Sequence, residues 1–134
     1  MKKYLLLLFV LSLALSACTS QNSSEALLGS WTLTSYGPAG APVPAVEDSG
    51  AQLSFHEDGT VAGNSGCNGF GGNYIVEGNE ITFDQIVSTL MACEDQRMEQ
   101  EEAVHRVLTD TATFELEGNT LTLTNNDRVL ILTR

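Results

Sequence analysis

Asn73-Tyr74-Ile75-Val76-Glu77-Gly78-Asn79-Glu80-Ile81-Thr82-Phe83 is echoed forty positions later by Thr113-Phe114-Glu115-Leu116-Glu117-Gly118-Asn119-Thr120-Leu121-Thr122-Leu123. Each copy reads as a strand, a Glu-Gly-Asn turn and a returning strand. Gly and Asn supply the left-handed conformations that tight hairpins demand. Two copies are too few for a repeat array, so they predict two antiparallel hairpins in one sheet system.

Outward from the second copy, Val129-Leu130-Ile131-Leu132 gives a last strand. Between the copies lies the one convincing helix, roughly Asp95 to Thr109. Gln100, Val104, Val107 and Leu108 fall on one side, while Glu99, Glu101, Glu102 and Arg106 cover much of the rest. Upstream, Trp31-Thr32-Leu33-Thr34-Ser35-Tyr36 alternates at the period of a half-buried strand. Gln52 to Phe55 is a second strand, and the Asp58-Gly59 turn returns it through Thr60-Val61-Ala62. Gly37 to Pro44 holds all three prolines and reads as a loop. Many short strands and one amphipathic helix predict a mainly β fold, a small antiparallel β-barrel or sandwich with that helix packed on it. Trp31, Tyr36, Phe55, Phe70, Tyr74, Phe83 and Phe114 are the candidate core aromatics.

The N-terminus sets an expected location. Lys2 and Lys3 precede an apolar run from Tyr4 to Leu15, too short to span a bilayer. Leu15-Ser16-Ala17-Cys18 resembles a bacterial lipoprotein cleavage box, which makes residues 1–17 a signal peptide and Cys18 the lipidated first residue. Each buried methylene contributes about 0.8 kcal/mol, so stable anchoring takes more than one acyl chain. Thr19, in place of Asp, favours the outer membrane facing the periplasm by the sorting rule of enteric-type bacteria. Residues 18–26 read as the lipidated cysteine and a polar tether, and 27–134 as one domain.

The net charge is −11, and losing Lys2 and Lys3 with the leader takes it to −13. The remaining cations are Arg97, Arg106, Arg128 and Arg134. Phosphate binding needs clustered positive charge, so no nucleic-acid partner is expected. Cys18 would be the membrane contact, with another envelope protein as the candidate partner.

The central segment is Gly63-Asn64-Ser65-Gly66-Cys67-Asn68-Gly69-Phe70-Gly71-Gly72-Asn73-Tyr74, followed by Thr89-Leu90-Met91-Ala92-Cys93 and the acidic helix. With Gly29-Ser30-Trp31-Thr32-Leu33 and with Phe55, Asp58, Gly59 and Gly63, it resembles the META domain family of HslJ-like bacterial lipoproteins. One extra residue precedes Tyr74 relative to that pattern. The motif residues are Gly29, Trp31, Gly63, Gly66, Cys67, Asn68, Phe70, Met91 and Cys93, and the resemblance covers about residues 27–134. It implies a small antiparallel barrel with a helix. It carries no catalytic residues and no cofactor, and by analogy implies a stress-tolerance or interaction role.

Cys67 and Cys93 leave three readings open: a structural disulfide in an oxidising compartment, two buried thiols, or a redox or soft-metal site with Met91 and Met98. The Gly63–Gly72 run lacks the Lys-Ser/Thr of a phosphate loop and reads instead as turns and bulges, with Asn68 bridging local backbone. His56 and His105 have no nearby triad partner in the sequence. The chain therefore reads as a non-enzymatic, lipid-anchored envelope module of the stress-response type, with a small-ligand or copper-binding barrel as the alternative.

Overall fold

The computed structural model describes residues 22–134. The expected signal peptide, Cys18 and the start of the expected tether lie outside the described residues. The later part of the tether segment is ordered as a short helix, α1 (Asn22–Leu27), whose Leu27 is fully buried. Nine strands follow: β1 (Gly29–Pro38), β2 (Val43–Pro44), β3 (Gln52–Phe55), β4 (Thr60–Asn64), β5 (Gly69–Glu77), β6 (Glu80–Ser88), β7 (Asp110–Glu117), β8 (Thr120–Asn125) and β9 (Arg128–Thr133). Helix α2 (Asp95–Val107) separates β6 from β7.

All pairings are antiparallel, and β1 pairs with β9, so the sheet closes on itself. The two-residue β2 pairs only with β1, which leaves eight strands in the closed circuit. The expected mainly β barrel with one packed helix is what the chain forms. Closure removes most of the sheet edges that would invite aggregation.

Both quoted segments are hairpins. Tyr74 faces Phe83 across the first, and Phe114 faces Leu123 across the second. Gly78 and Gly118 carry φ of 65° and 58°, as the tight turns require. The two hairpins are themselves neighbours, with Ile81 opposite Ala112.

Alternation fills the interior from every strand. Trp31, Leu53, Phe55, Val61, Ile81, Leu121, Leu123, Leu130 and Leu132 are all within 2% of complete burial. Phe55 and Tyr74 meet edge to face at 5.1 Å between ring centres. Every predicted core aromatic is buried. These side chains fill the barrel interior.

The Gly37–Pro44 loop is shorter than expected. β1 runs on to Pro38 against Arg128, and Val43 and Pro44 form β2 against Ser35 and Tyr36. Pro44 is tolerated because β2 is an outer strand with one partner, and Pro38 because β1 is paired there only by β9.

α2 lies across one end of the barrel, against β1, β8 and β9. Gln100, Ala103, Val104 and Val107 face inward, and Leu108 is buried just beyond the last turn. Glu101 is also buried, at 8% exposure, and this corrects its assignment to the solvated acidic face. A buried carboxylate needs donors, and the turn between β4 and β5 provides them.

Candidate functional site: a buried polar latch under the helix

In the turn Ser65–Asn68, a glycine and short polar residues aim donors at α2. Gly66 has φ of 104°, and a Cβ there would lie 2.2 Å from Gln100 Nε2. Only glycine permits that approach.

Glu101 Oε2 accepts from Ser65 Oγ at 2.6 Å and from the Asn68 backbone N–H at 3.0 Å. Asn68 Nδ2 donates to the same carboxylate at 3.0 Å. Burial pushes the Glu101 carboxyl up, but the bonds from Ser65 and Asn68, with the nearby His105, outweigh it. The group is held below its ordinary value.

Asn68 also binds the far side. Its Oδ1 accepts from Met91 N at 2.7 Å and Thr89 Oγ1 at 2.8 Å, while Nδ2 reaches Met91 O at 3.0 Å. Asn68 thus bridges backbone as expected, and it does so between the turn, the 89–93 segment and the helix. Gln100 Nε2 donates to Ser65 O at 2.8 Å, and its Oε1 accepts from Val46 N at 2.7 Å. Arg97 Nη1 donates to Gly66 O at 2.8 Å.

Cys67 and Cys93 form a disulfide, 26 positions apart in sequence, that clasps the same turn to the start of α2. The bonded sulfurs offer no thiolate, so the copper alternative loses its two strongest ligands. Met91 enters the latch through its backbone, with its side chain 58% exposed. Among the described residues no group of three or more His, Cys, Asp or Glu is placed to hold a metal ion.

Replacing both cysteines by serine should lower the unfolding free energy by about 3 kcal/mol, the chain-entropy value for a loop of this length. Urea denaturation of variant and wild type checks this. Equal midpoints would show that the latch holds without its clasp.

The remaining motif residues serve the same frame. Gly63 in β4 sits where a Cβ would strike Gln52 O at 2.1 Å, so β3 and β4 pack only with glycine there. Phe70 lines the barrel end and meets the His105 ring edge to face at 6.0 Å. Gly29 begins β1 with φ of 105°. Trp31 lies near the opposite end of that strand from the helix and donates through Nε1 to Leu27 O at 2.7 Å.

Ser65, Glu101 and His105 superficially suggest a nucleophile, an acid and a base. The geometry denies that arrangement. Ser65 is fully buried and bonds the carboxylate directly, while His105 Nε2 is buried with no hydrogen-bond partner among the described residues and its ring meets Phe70 edge to face. His56 lies in the β3–β4 turn, where its backbone carbonyl accepts from the Tyr74 hydroxyl. Outside the barrel, a groove of about 260 Å³ runs between the end of β1 and α2, lined by Tyr36, Pro38, Val43, Glu99 and Arg106 among others.

The sequence places Asn68, Cys67 and Cys93 in this segment and Gln100 on the inward side of α2, but not the burial of Glu101 or its bond to Ser65. The available signal was the pair Gln100-Glu101 at the centre of a helix whose neighbouring turn is rich in uncharged donors.

Comparison with known proteins agrees with this frame. A family model described as the META domain matches residues 25–134. No curated protein matches the chain. A protein solved by NMR is 26% identical, with a TM-score of 0.68, covering 83% of this chain and 93% of its own. Another NMR structure, from Burkholderia xenovorans, is 24% identical with a TM-score of 0.67, over 92% and 94% of the two chains. A lipocalin-like protein from Bacteroides uniformis shares the fold at 20% identity and a TM-score of 0.51, over 81% and 97%. With the match spanning all nine strands, both hairpins and the latch, the chain belongs to the META domain family.

Proposed function

We propose that this META domain is a non-catalytic binding module of the bacterial cell envelope. In this reading Cys18 carries the lipid, the outer membrane is the expected site, and the domain faces the periplasm to engage another envelope protein during stress. One observation carries the non-catalytic part. The polar residues that crowd the family motif are spent on one another: Ser65 and Asn68 are within 1% of full burial, and their bonds end on Glu101 and Met91. Recognition then falls to the outer surface, which is strongly acidic. The Leu15–Cys18 box supports the anchor, and no described helix is long and apolar enough to cross a membrane.

Mass spectrometry of the protein from bacterial membranes tests the anchor. The expected mature chain begins at an acylated Cys18; an unmodified chain beginning at Met1 would overturn it. Photo-cross-linkers placed around the domain in living cells test the binding role. A reproducible protein adduct from one face is expected, and none from any face would remove the reading.

A further inference from the structure

The barrel is closed, yet one stretch of its wall is unpaired on one side. β7 pairs with β6 only from Glu80 to Phe83, opposite Thr113 to Asp110. β6 continues to Ser88, held there only by β5 through Val87–Gly71 and Ser88–Phe70. A bulge causes the parting: Gln85 and Ile86 together oppose Gly72, whose absent Cβ would lie 2.6 Å from Ile86 Cδ1. Gln85 has φ of 53° and Asp110, where β7 begins, φ of 66°. Two left-handed residues that are not glycine therefore flank the split. Such conformations cost energy and persist where the surrounding structure imposes them, and bulges commonly end a strand pairing.

Past the bulge, the outward backbone groups can be identified. Thr89 N donates to Gly69 O on the β5 side. Alternation along the strand then turns the N–H and C=O of Ile86 and Ser88 away from β5. Among the described residues no hydrogen bond reaches these outward groups. Beside them, Val87 is 70% exposed and Leu90 is 94% exposed.

We infer that the free edge of β6, from Asp84 to Ser88, takes up an extended, cationic segment of a partner polypeptide as an added strand. The inference rests on the binding-module reading and names the surface it uses. Strand addition draws affinity from main-chain bonds and selectivity from alternate side chains; here Val87 and Leu90 offer the apolar contacts. Charge selects the occupant. Asp84 opens the edge, Asp110 stands at the split, and Glu94 and Asp95 follow the exposed segment. The cation that follows this segment in sequence, Arg97, already bonds Glu94, Gly66 O and Asp48 O. A second copy of this acidic chain would meet like charge along the same edge, which disfavours self-pairing.

The test uses the protein as isolated from cells, held in zwitterionic phosphatidylcholine nanodiscs. The probe is an octapeptide of alternating lysine and valine, blocked at both ends, with a control carrying proline in place of its central valine. Amide hydrogen exchange should show the Ile86 and Ser88 N–H groups exchanging fast alone and protected once the peptide binds. Ser88→Pro removes one outward donor on an edge where proline is tolerated and should weaken binding about tenfold. Val87→Lys, a change at an exposed side chain, should weaken it similarly by repulsion while leaving the thermal midpoint unchanged.

Equal binding of the proline control would reduce the effect to charge alone and overturn the inference. So would protection mapping elsewhere, or concentration-dependent pairing of two copies through β6. An envelope adduct formed equally by wild type and Ser88→Pro would also overturn the edge, yet leave the binding-module reading standing.

Discussion

Glu101→Ala should lower the unfolding free energy by about 3–5 kcal/mol, a large share of the 5–15 kcal/mol typical of a domain. The carboxylate is the shared acceptor for Ser65 Oγ, the Asn68 backbone N–H and Asn68 Nδ2. Truncation leaves buried donors with no acceptor, and each unsatisfied group costs about 1–3 kcal/mol. Ser65 Oγ can turn to Asn68 O, already 3.1 Å away, which holds the total below the simple sum. Glu101→Gln should lose about 2–3 kcal/mol, because its amide opposes Asn68 Nδ2 donor to donor. Glu102→Ala, one position on, removes only an exposed pair with Arg106 and should leave the urea midpoint unmoved. If Glu101→Ala behaved like Glu102→Ala, the latch would be ornament rather than support.

The same carboxylate gives the domain a pH dependence of known sign. Its pKa is lower folded than unfolded, so the unfolded chain takes up the proton first as pH falls. The stability it contributes is whole above its ordinary value of 4.5 and drains away as pH drops through the folded value. Glu101→Gln should therefore flatten the acid limb of a stability-against-pH curve. An unchanged limb would place the acid-sensitive group elsewhere.

The hairpins and the extent of α2 were legible because they rest on local signals, whereas the β1–β9 pairing that makes a barrel rather than a sandwich was not. Alternation, the two Glu-Gly-Asn turns and the Asp58-Gly59 turn each fix a hairpin within a dozen residues. The inward side of α2 was legible too, since Val104, Val107 and Leu108 mark it. Glu101 was not, because hydropathy assigns any glutamate to solvent. Its burial depends on donors thirty-three or more positions away, on a turn whose geometry the helix itself helps to set. The split at β6 was hidden for a related reason. The sequence reading of that strand ends at Phe83, and only the pairing of Gln85 and Ile86 together against Gly72 reveals the bulge.

Trp31→Ala should cost about 3–5 kcal/mol, the range for truncating a buried large aromatic. The reason lies in how this end of the barrel is shut. α2 and its latch lie toward the Pro38 end of β1, whereas Trp31 lies near its Gly29 end, fully buried. Its ring is covered by the guanidinium of Arg134 at 4.3 Å, and the same side chain donates to Leu28 O at 3.1 Å. Backbone N–H of Arg134 also reaches Asn119 O in the second Glu-Gly-Asn turn. Indole, α1, the last residue and that turn thus form one closure. Trp31→Phe keeps most of the buried area but loses the Nε1 bond to Leu27 O, so about 1–2 kcal/mol is expected. Trp31 is the sole tryptophan, which allows an independent check by fluorescence. Arg134→Ala should uncover the ring, shifting its emission to longer wavelength and admitting iodide quenching while the fold persists. An unshifted emission maximum in Arg134→Ala would mean that the barrel wall alone shields Trp31 and that the terminal arginine closes nothing.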